Sequence, residues 1–446
     1  MSASNVIRSG YTVSGLTGVI DQRYGTYRVQ VNEVPTFDAA SNPRSDSAPD
    51  VGGRLRVASF NVLNYFNGSG GGGGFPTDRG ANTPEEFTRQ RDKIISAILA
   101  LDADVVGLLE IENDGDGPDS ALADLVNGLN EAAGENRYAY IPDPAGGSGS
   151  DAIKPAMIYR AADVNPVGDP VALRQPPFDQ RRPSLVQVFE EKATGERFIL
   201  VVNHLKSKGC EGADAAGDVD TGQGCWNNER VQAVNVLTNW LATDPTGTGE
   251  PDVLLIGDLN SYAKEDPLTV FADAGYTNLV VEYEGFGNYS YVFDGLAGSL
   301  DHALASPSLV DQVTDTETWH INADEPRSLD YNVEFKTPGQ VQSFYDAGPF
   351  RSSDHDPVVI GLELGGTPAQ PTAAPTTPPT VAPTVEASVQ PTAGLTQAPT
   401  ITPSDQTGGG NDQNNSTGGV VAIIIGVAAV LLALVASLIG LRRRGR

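Results

Sequence analysis

Five short patches of this sequence place side chains that bind metal ions or transfer protons directly beside apolar runs. They are Asn61, Glu110, Asn203 with His204, Asp258 with Asn260, and Ser353-Asp354-His355-Asp356-Pro357. Such residues act together only if the fold brings the ends of several strands to one place, so the patches restrict the fold more than any other feature. Carboxylates, amides and imidazoles in this combination are what metal-assisted hydrolysis of a phosphate ester requires.

Two of the patches carry the strongest pattern. Asp258 and Asn260 follow the apolar run 253–256, and alternate positions of a strand share one face, so a carboxylate and a carboxamide lie side by side. His355 has a carboxylate on each side, which can hold its imidazole in one tautomer near neutrality. A loop after a strand and a solvated turn are the ordinary alternatives. Two of the four histidines of the chain lie in patches of this kind, which favours a functional site.

The remaining patches add positive charge and further oxygen ligands. His204 follows the run 198–202, and Lys206 and Lys208 beside it would face an anionic phosphate. Glu110 ends another apolar run and would bind a hard cation such as Mg2+ through oxygen. A buried core histidine and a solvated acidic loop are the alternatives for these two patches.

The charge of the chain limits its partners. Its 57 acidic and 29 basic residues give a formal net charge of -28 at pH 7, which repels a polyanion at long range. A nucleic-acid substrate therefore requires a local basic patch or bridging cations. The candidates for such a patch are Lys154, Arg181, Arg182, Lys206, Lys208 and Arg351. A scatter of solvated side chains is an equal alternative.

The C-terminal part of the sequence has the composition of a membrane anchor. Residues 365–419 are rich in Pro and Thr and predict an extended stalk, because they cannot bury a core. Residues 420–441 are uncharged and mainly apolar over the length of one membrane-spanning helix. The basic tail 442–446 places that end in the cytoplasm. We therefore expect a single-pass protein of the cell membrane with its catalytic part outside.

The cysteines agree with an extracellular location. Cys210 and Cys225 are the only two and enclose a short polar stretch, which favours a disulfide over two unrelated thiols or a zinc site. An exported chain needs a signal sequence, and the first residues have no apolar segment of that kind. We therefore expect the chain to begin inside a longer protein, with a tail-anchored cytosolic protein as the alternative.

Strand and helix patterns predict the domain organisation. Residues 10–35 alternate like strands, so 1–38 are expected to be the end of a small β-barrel and 39–53 a polar linker. From 54 to 364 many strand-like runs surround few helices, one of which begins at the cap Thr83. Several consecutive strands favour a four-layer α/β sandwich, two β-sheets flanked by helices, over a strictly alternating parallel fold.

In this order the patches resemble the endonuclease/exonuclease/phosphatase superfamily, over about residues 54–364. The matching residues are Asn61, Glu110, His204, Asp258 with Asn260, Asp301 with His302, and Asp354 with His355. The strings at 108–114, 203–210, 323–327 and 353–357 resemble the bacterial extracellular nucleases of that superfamily. Those nucleases carry an OB-like barrel before the catalytic domain, which implies that residues 1–38 are the C-terminal remnant of one.

The resemblance also implies a role for each matched residue. Asn61, Glu110 and Asp354 would hold a divalent metal, Mg2+ first, with Mn2+ or Ca2+ as alternatives. Asp258 and Asn260 would orient or deprotonate water and contact the phosphate.

The remaining matched residues would handle protons and the phosphate. His355, steered by Asp301 or Asp354, would act as acid, base or phosphate clamp, and it shares candidacy for the general base with Asp258. His204 would contact the phosphate or protonate the leaving oxygen. The predicted phosphate-binding residues are Asn203, Lys206, Lys208 and Arg351.

These inferences predict an extracellular, membrane-anchored, metal-dependent nuclease that acts on DNA, with RNA as a second substrate and no protein partner. A phosphatase or phospholipid phosphodiesterase is the first alternative, because a fold does not decide the substrate. A non-catalytic cell-surface binding module is the second, and the intact set of Asp, Asn and His argues against it.

Overall fold

The computed structural model describes residues 2–23, 25–45, 47–69 and 73–366. The predicted membrane-spanning helix, the basic tail and nearly all of the predicted stalk lie outside these ranges. Inside them, no helix combines the length and the apolar character needed to cross a bilayer.

Strands supply most of the regular structure. The N-terminal segment contributes β1 (Thr12–Val13), β2 (Gly18–Arg23), β3 (Thr26–Val31) and β4 (Phe37–Asp38). The later strands are β5 (Leu55–Tyr65), β6 (Val105–Glu112), β7 (Tyr138–Tyr140), β8 (Ile153–Arg160), β9 (Val164–Leu173), β10 (Ser184–Glu191), β11 (Arg197–His204), β12 (Val253–Asp258), β13 (Thr277–Asn278), β14 (Tyr291–Phe293), β15 (Leu296–Gly298), β16 (Asp301–Ala305), β17 (Val313–Thr318) and β18 (Val358–Leu362).

Helices lie between the strands. They are α1 (Pro84–Leu101), α2 (Ala121–Ala133), α3 (Ala213–Ala216), α4 (Asn227–Leu241), α5 (Asp266–Asp273), α6 (Leu279–Glu284) and α7 (Pro338–Ser343). The predicted cap of α1 is present, since Oγ1 of Thr83 accepts a hydrogen bond from the amide of Glu86 at 3.2 Å.

Two six-stranded sheets organise the chain after the N-terminal segment. The first sheet has the order β17-β18-β5-β6-β8-β7, and the second has the order β13-β16-β12-β11-β10-β9. Each contains one parallel pair, β5 with β6 and β11 with β12, and the other pairs are antiparallel. The carboxyl ends of each parallel pair therefore lie at one edge of their sheet.

Three apolar layers hold four layers of secondary structure together. Ile98 of α1 and Leu125 of α2 pack on the outer face of the first sheet. Leu109 and Val202 lie in the layer between the two sheets. Leu237 of α4 packs on the outer face of the second sheet. The predicted two-sheet α/β sandwich is confirmed.

Ion pairs join the N-terminal segment to the rest of the chain. Its β2–β3 hairpin is exposed, with Ile20 and Tyr27 each 73% accessible. Arg8, in contrast, is buried and pairs with Asp324, and Arg44 pairs with Glu325. Residues 39–53, predicted as a linker, thus include a side chain fixed to the main body of the fold. The assignment of residues 1–38 to a barrel remnant stays a prediction.

Candidate active site

Three strands of the second sheet align the central residues of the site. In the parallel pair β11–β12 His204 lies opposite Asp258, and in the antiparallel pair β12–β16 Asp258 lies opposite Asp301. Strand register fixes which side chains share a face, so the three form one row. Nε2 of His204 lies 3.4 Å from Oδ2 of Asp258.

A glycine allows β11 and β12 to approach closely just before this row. Gly257 has φ +134°, and a Cβ on it would lie 1.9 Å from the carbonyl oxygen of Asn203. Any larger residue would therefore push the strands apart at the position next to Asp258.

The loop before β18 brings His355 from the first sheet to this row. Nδ1 of His355 lies 2.7 Å from Oδ2 of Asp301, and its Nε2 lies 3.9 Å from Oδ2 of Asp258. The Tyr291 ring stacks on the imidazole with a centroid separation of 4.6 Å. Ser290 donates its hydroxyl to Oδ2 of Asp301 at 2.6 Å. The imidazole is therefore held by hydrogen bonding on one side and by an aromatic face on another.

Asn61 and Glu110 join the site from the first sheet. Nδ2 of Asn61 donates to Oε1 of Glu110 at 3.2 Å and to Oδ2 of Asp258 at 3.4 Å. The amide of Asn260 donates to Oδ1 of Asp258 at 2.8 Å. Glu110 and Asn260 have φ values of +66° and +48°, an uncommon conformation for residues with side chains. Such backbone strain concentrates at functional sites.

Burial and neighbouring charges shift the pKa values of Asp258, His355 and His204. Burial raises the pKa of Asp258 from 3.8 to about 7, and Asp301 adds to the rise while His355 opposes it. Burial lowers the pKa of His355, but the charges of Asp301 and Asp258 outweigh it and raise that pKa well above 6.5. Burial holds the pKa of His204 well below 6.5. At neutral pH His355 is therefore an imidazolium and His204 a neutral imidazole.

The oxygen donors beside this row fit a hard divalent cation. Burial raises the pKa of the Glu110 carboxyl, and the charge of Asp354 raises it further. The Glu110 carboxylate and the carboxamide of Asn61, 3.2 Å apart, lie close enough to share a cation. Among the described residues, no three His, Cys, Asp or Glu side chains form a ready metal-binding cluster. Mg2+ commonly binds through one or two carboxylates, water and substrate phosphate, which agrees with this donor set.

The four predicted phosphate-binding residues do not all face the row. The ammonium of Lys208 lies 2.5 Å from a Glu265 oxygen, and Nη1 of Arg351 donates to the carbonyl of Asn322 at 2.8 Å. Buried Asn203 accepts the Ser184 hydroxyl at 2.5 Å. These contacts disfavour phosphate binding by Lys208, Arg351 and Asn203.

Lys206, the fourth of them, has a different environment. Its ammonium lies 5.3 Å from the centroid of the Trp226 ring and 3.3 Å from Oγ of Ser207. It is therefore the strongest remaining candidate of the four for a phosphate contact.

The other basic candidates form ion pairs. Lys154 pairs with Asp143 at 2.7 Å, Arg181 with Glu229 at 2.8 Å, and Arg182 with Asp151 at 3.0 Å. Buried Arg182 also donates to the carbonyls of His204 and Leu205. These side chains therefore do not form an extended basic patch for a nucleic acid.

The other residues singled out in the sequence have structural contacts. Nε2 of His302 lies 2.8 Å from the carbonyl oxygen of Ser261, and its ring is buried away from the row. Cys210 and Cys225 are joined as a disulfide, with their Cα atoms 5.1 Å apart.

Sequence patterns missed three residues that shape the site: Ser290, Tyr291 and Asn322. None of them ends an apolar run of the kind that marked the other residues. Only Asn322 lies next to a string that had been singled out, the one at 323–327.

The sequence matches the Endonuclease/Exonuclease/phosphatase family over residues 58–355. The chain belongs to this family, whose members are hydrolases of phosphate ester bonds and generally depend on a divalent metal. No curated protein matches the sequence significantly.

Several solved structures are similar to this chain. A family member from Bacteroides thetaiotaomicron is 18% identical, with 69% of this chain and 93% of that chain covered and a TM-score of 0.42. A mannosyl-6-phosphatase from the same organism is 18% identical, with 69% and 99% covered and a TM-score of 0.41. D. rerio TDP2 complexed with a single strand DNA product is 15% identical, with 69% and 97% covered and a TM-score of 0.38.

Proposed function

We propose that this chain is an extracellular, membrane-anchored, metal-dependent nuclease that hydrolyses the phosphodiester bonds of DNA. The observation that carries the proposal is the meeting of His204, Asp258 and His355 with Asn61 and Glu110, where the ends of both sheets come together. This arrangement supplies imidazole, carboxylate and amide groups around one small volume, as hydrolysis of a phosphate ester requires.

Asp301, His355 and Asp258 have different roles in hydrolysis. Asp301 holds Nδ1 of His355, so Nε2 is the ring nitrogen that lies toward Asp258. Asp258 orients the attacking water and is the candidate base, because the imidazolium of His355 has no free lone pair to accept a proton. An imidazolium at His355 also stabilises negative charge that develops on the phosphoryl oxygens.

Other residues complete the chemistry. Asn260 lies beside Asp258 and contacts the phosphate, while neutral His204 hydrogen-bonds the phosphate or the leaving oxygen. A divalent cation held by Glu110, Asn61 and Asp354 would neutralise charge on the scissile phosphate.

Two arguments support DNA as the substrate and the cell surface as the location. The strings at 203–210, 323–327 and 353–357 resemble bacterial extracellular nucleases, which favours DNA over a sugar phosphate or a phospholipid. The Cys210–Cys225 disulfide and the composition of residues 365–446 favour an anchored extracellular protein.

A substrate comparison tests the activity. The full chain is incubated with supercoiled plasmid, single-stranded DNA, RNA, a phosphoinositide and mannose 6-phosphate, each with Mg2+ and with chelator. We expect Mg2+-dependent loss of DNA, which Asp258→Ala and His355→Ala abolish and Asn130→Ala does not. Turnover of the phosphoinositide or the sugar phosphate without loss of DNA would instead establish the alternative on the same fold.

A separate experiment tests the location. Protease added to intact cells that produce the chain should remove the catalytic domain while a cytosolic marker survives. Complete protection of the domain would contradict an extracellular position.

A further inference from the structure

Two segments that are distant in sequence lie side by side next to the active site. We name residues 319–325 the clamp segment and residues 351–357 the His355 loop. The amide of Trp319 donates to the carbonyl of Pro357 at 2.9 Å, and the amide of Arg351 donates to the carbonyl of Ile321 at 2.7 Å. The clamp segment is therefore bonded to both ends of the loop that carries His355.

Asn322 occupies the centre of this contact and is fully buried. Its Oδ1 accepts the amide protons of Ser352 at 2.8 Å and of Ser353 at 3.1 Å. Its Nδ2 donates to the carbonyl of His355 at 2.7 Å. One carboxamide thus binds the backbone on both sides of Asp354. A shorter side chain would leave these backbone groups without their partners.

The loop in turn holds the clamp segment. Oδ1 of Asp356 accepts the amide protons of Asn322 at 2.7 Å and of Ala323 at 3.0 Å. Oδ2 of Asp356 lies 2.9 Å from Nδ1 of His320. Each of the two segments thus donates hydrogen bonds to the other and accepts hydrogen bonds from it. We therefore expect the clamp segment and the His355 loop to move together.

Arg8 of the N-terminal segment also binds the clamp segment. Its Nη2 donates to the carbonyl of His320 at 2.7 Å and to Oδ2 of Asp324 at 3.3 Å. Its Nε lies 2.8 Å from Oε1 of Glu325. Arg8 is buried, and its contacts lie on both sides of Asn322.

We propose that Asn322 is a positioning residue that sets the place of His355, and that Arg8 keeps Asn322 in register. The proposal explains why two buried acids, Asp324 and Glu325, follow Asn322, since both bind the N-terminal segment. Its kinetic consequences rest on the proposed hydrolytic function, but its structural consequences do not.

The kinetic test compares Asn322→Ala with Asn130→Ala. Asn130 also bridges backbone groups, donating to the Tyr138 carbonyl at 3.0 Å and accepting its amide proton at 2.8 Å, but it lies at the end of α2. A misplaced catalytic group costs about 100-fold in rate, so kcat of Asn322→Ala should fall by about that factor with KM changed less than about threefold. Asn130→Ala should lose thermal stability with kcat unchanged. Equal kcat values for the two variants would overturn the proposal.

Hydrogen exchange supplies a readout that needs no activity. Asn322→Ala should increase deuterium uptake of the peptide that contains the Ser352 and Ser353 amides, under conditions in which the sheet strands stay protected. Unchanged uptake would overturn the proposal even if the wild-type chain cleaves DNA. If the wild-type chain cleaves no phosphate ester while Asn322→Ala still shows the increased uptake, only the proposed function is contradicted.

A third comparison tests the role of Arg8, and its first part needs only single variants of Arg8. Arg8→Ala should raise uptake in the same peptide and lower kcat, with Arg8→Lys intermediate. The matched control is Arg160→Ala, because Arg160 also forms two ion pairs, with exposed Asp102 and buried Asp104, at the opposite end of the first sheet. Arg8→Ala in the Asn322→Ala background should add little further loss, since coupled residues are not additive. Additive losses, or an Arg8→Ala variant that matches the control, would remove Arg8 from the proposal.

Discussion

Oδ2 of Asp301 lies 2.7 Å from Nδ1 of His355, although the two residues are 54 positions apart in the chain. Asp301 begins β16 of the second sheet, and His355 lies in the loop that enters the first sheet. The hydrogen bond therefore joins the two halves of the sandwich at the site and orients the imidazole with Nε2 toward Asp258.

Asp301→Asn should reduce kcat strongly while the fold survives. The amide cannot stabilise an imidazolium as the carboxylate does, and its NH2 group can direct the wrong tautomer. We expect a loss of about 100-fold or more, the range found for groups that act in proton transfer. Steady-state kinetics with Mg2+ and a thermal melt measure this, and His302→Gln serves as the neighbouring control. Normal kcat in Asp301→Asn would show that His355 does not depend on this bond.

Asp258→Asn should remove activity and raise stability at alkaline pH. The folded-state pKa of Asp258 is about 7 against an ordinary 3.8, so the folded state binds more protons than the unfolded state between these values. Stability from this group is therefore present at low pH and is lost as the pH rises through that window. With chelator present, the variant should gain on the order of 1 to 3 kcal/mol over the wild type as the pH rises from about 4 to about 8.

Urea unfolding of both proteins at the two ends of that range measures the gain. A stability difference that stays constant with pH would contradict the raised pKa of Asp258.

Glu110→Gln should weaken metal binding. The melting temperature of the wild-type chain should rise as Mg2+ is added. Its free energy of unfolding should increase by about 2.7 kcal/mol when the ion reaches about 100 times its dissociation constant. The variant should show little of this gain, because it lacks the carboxylate beside Asn61. Calorimetry across a Mg2+ series measures it, with Glu131→Gln on α2 as the control. An undiminished Mg2+ effect in Glu110→Gln would place the ion elsewhere.

Removal of the disulfide should affect stability more than chemistry. Replacing Cys210 and Cys225 together by Ser should lower the free energy of unfolding by about 2 to 4 kcal/mol, the usual value for a short loop. The fully buried Arg230 still donates to the carbonyls of Cys225 and Gln223 at 2.8 and 3.0 Å, so the loop keeps a second attachment. We expect kcat to stay within about threefold well below the melting temperature, since no cysteine touches the row. An unchanged urea midpoint after reduction would contradict this prediction.

The sequence predicts the sandwich because its central strands are long apolar runs with polar ends. The apolar run 198–202 lies within β11, which continues to His204, and the run 253–256 extends in β12 by two residues to Asp258. Elements without a continuous apolar run were not predicted. The short β14–β15 hairpin, whose Phe293 and Leu296 are exposed, is one example, and α2, with Gly128 in its interior, is another.

Pairing between distant side chains was harder to predict than the site itself. Lys208 and Arg351 carry the right charge for phosphate, but the sequence does not reveal that Glu265 and the Asn322 carbonyl lie nearer to them. Asn322 itself follows no periodic pattern, since its importance comes from three backbone partners 30 to 33 positions away. Long-range contacts of this kind depend on the tertiary fold rather than on local propensity.

Strand register places His204 opposite Asp258 and Asp258 opposite Asp301. This pairing also determines where the chain can tolerate insertions and deletions. A single residue inserted within β11, β12 or β16 would turn every following side chain of that strand to the other face and separate the three. Residues added to the surface loops between these strands would leave the pairing untouched. The surface loops can therefore change in length without moving His204, Asp258 and Asp301. Such changes would alter which substrates reach the site.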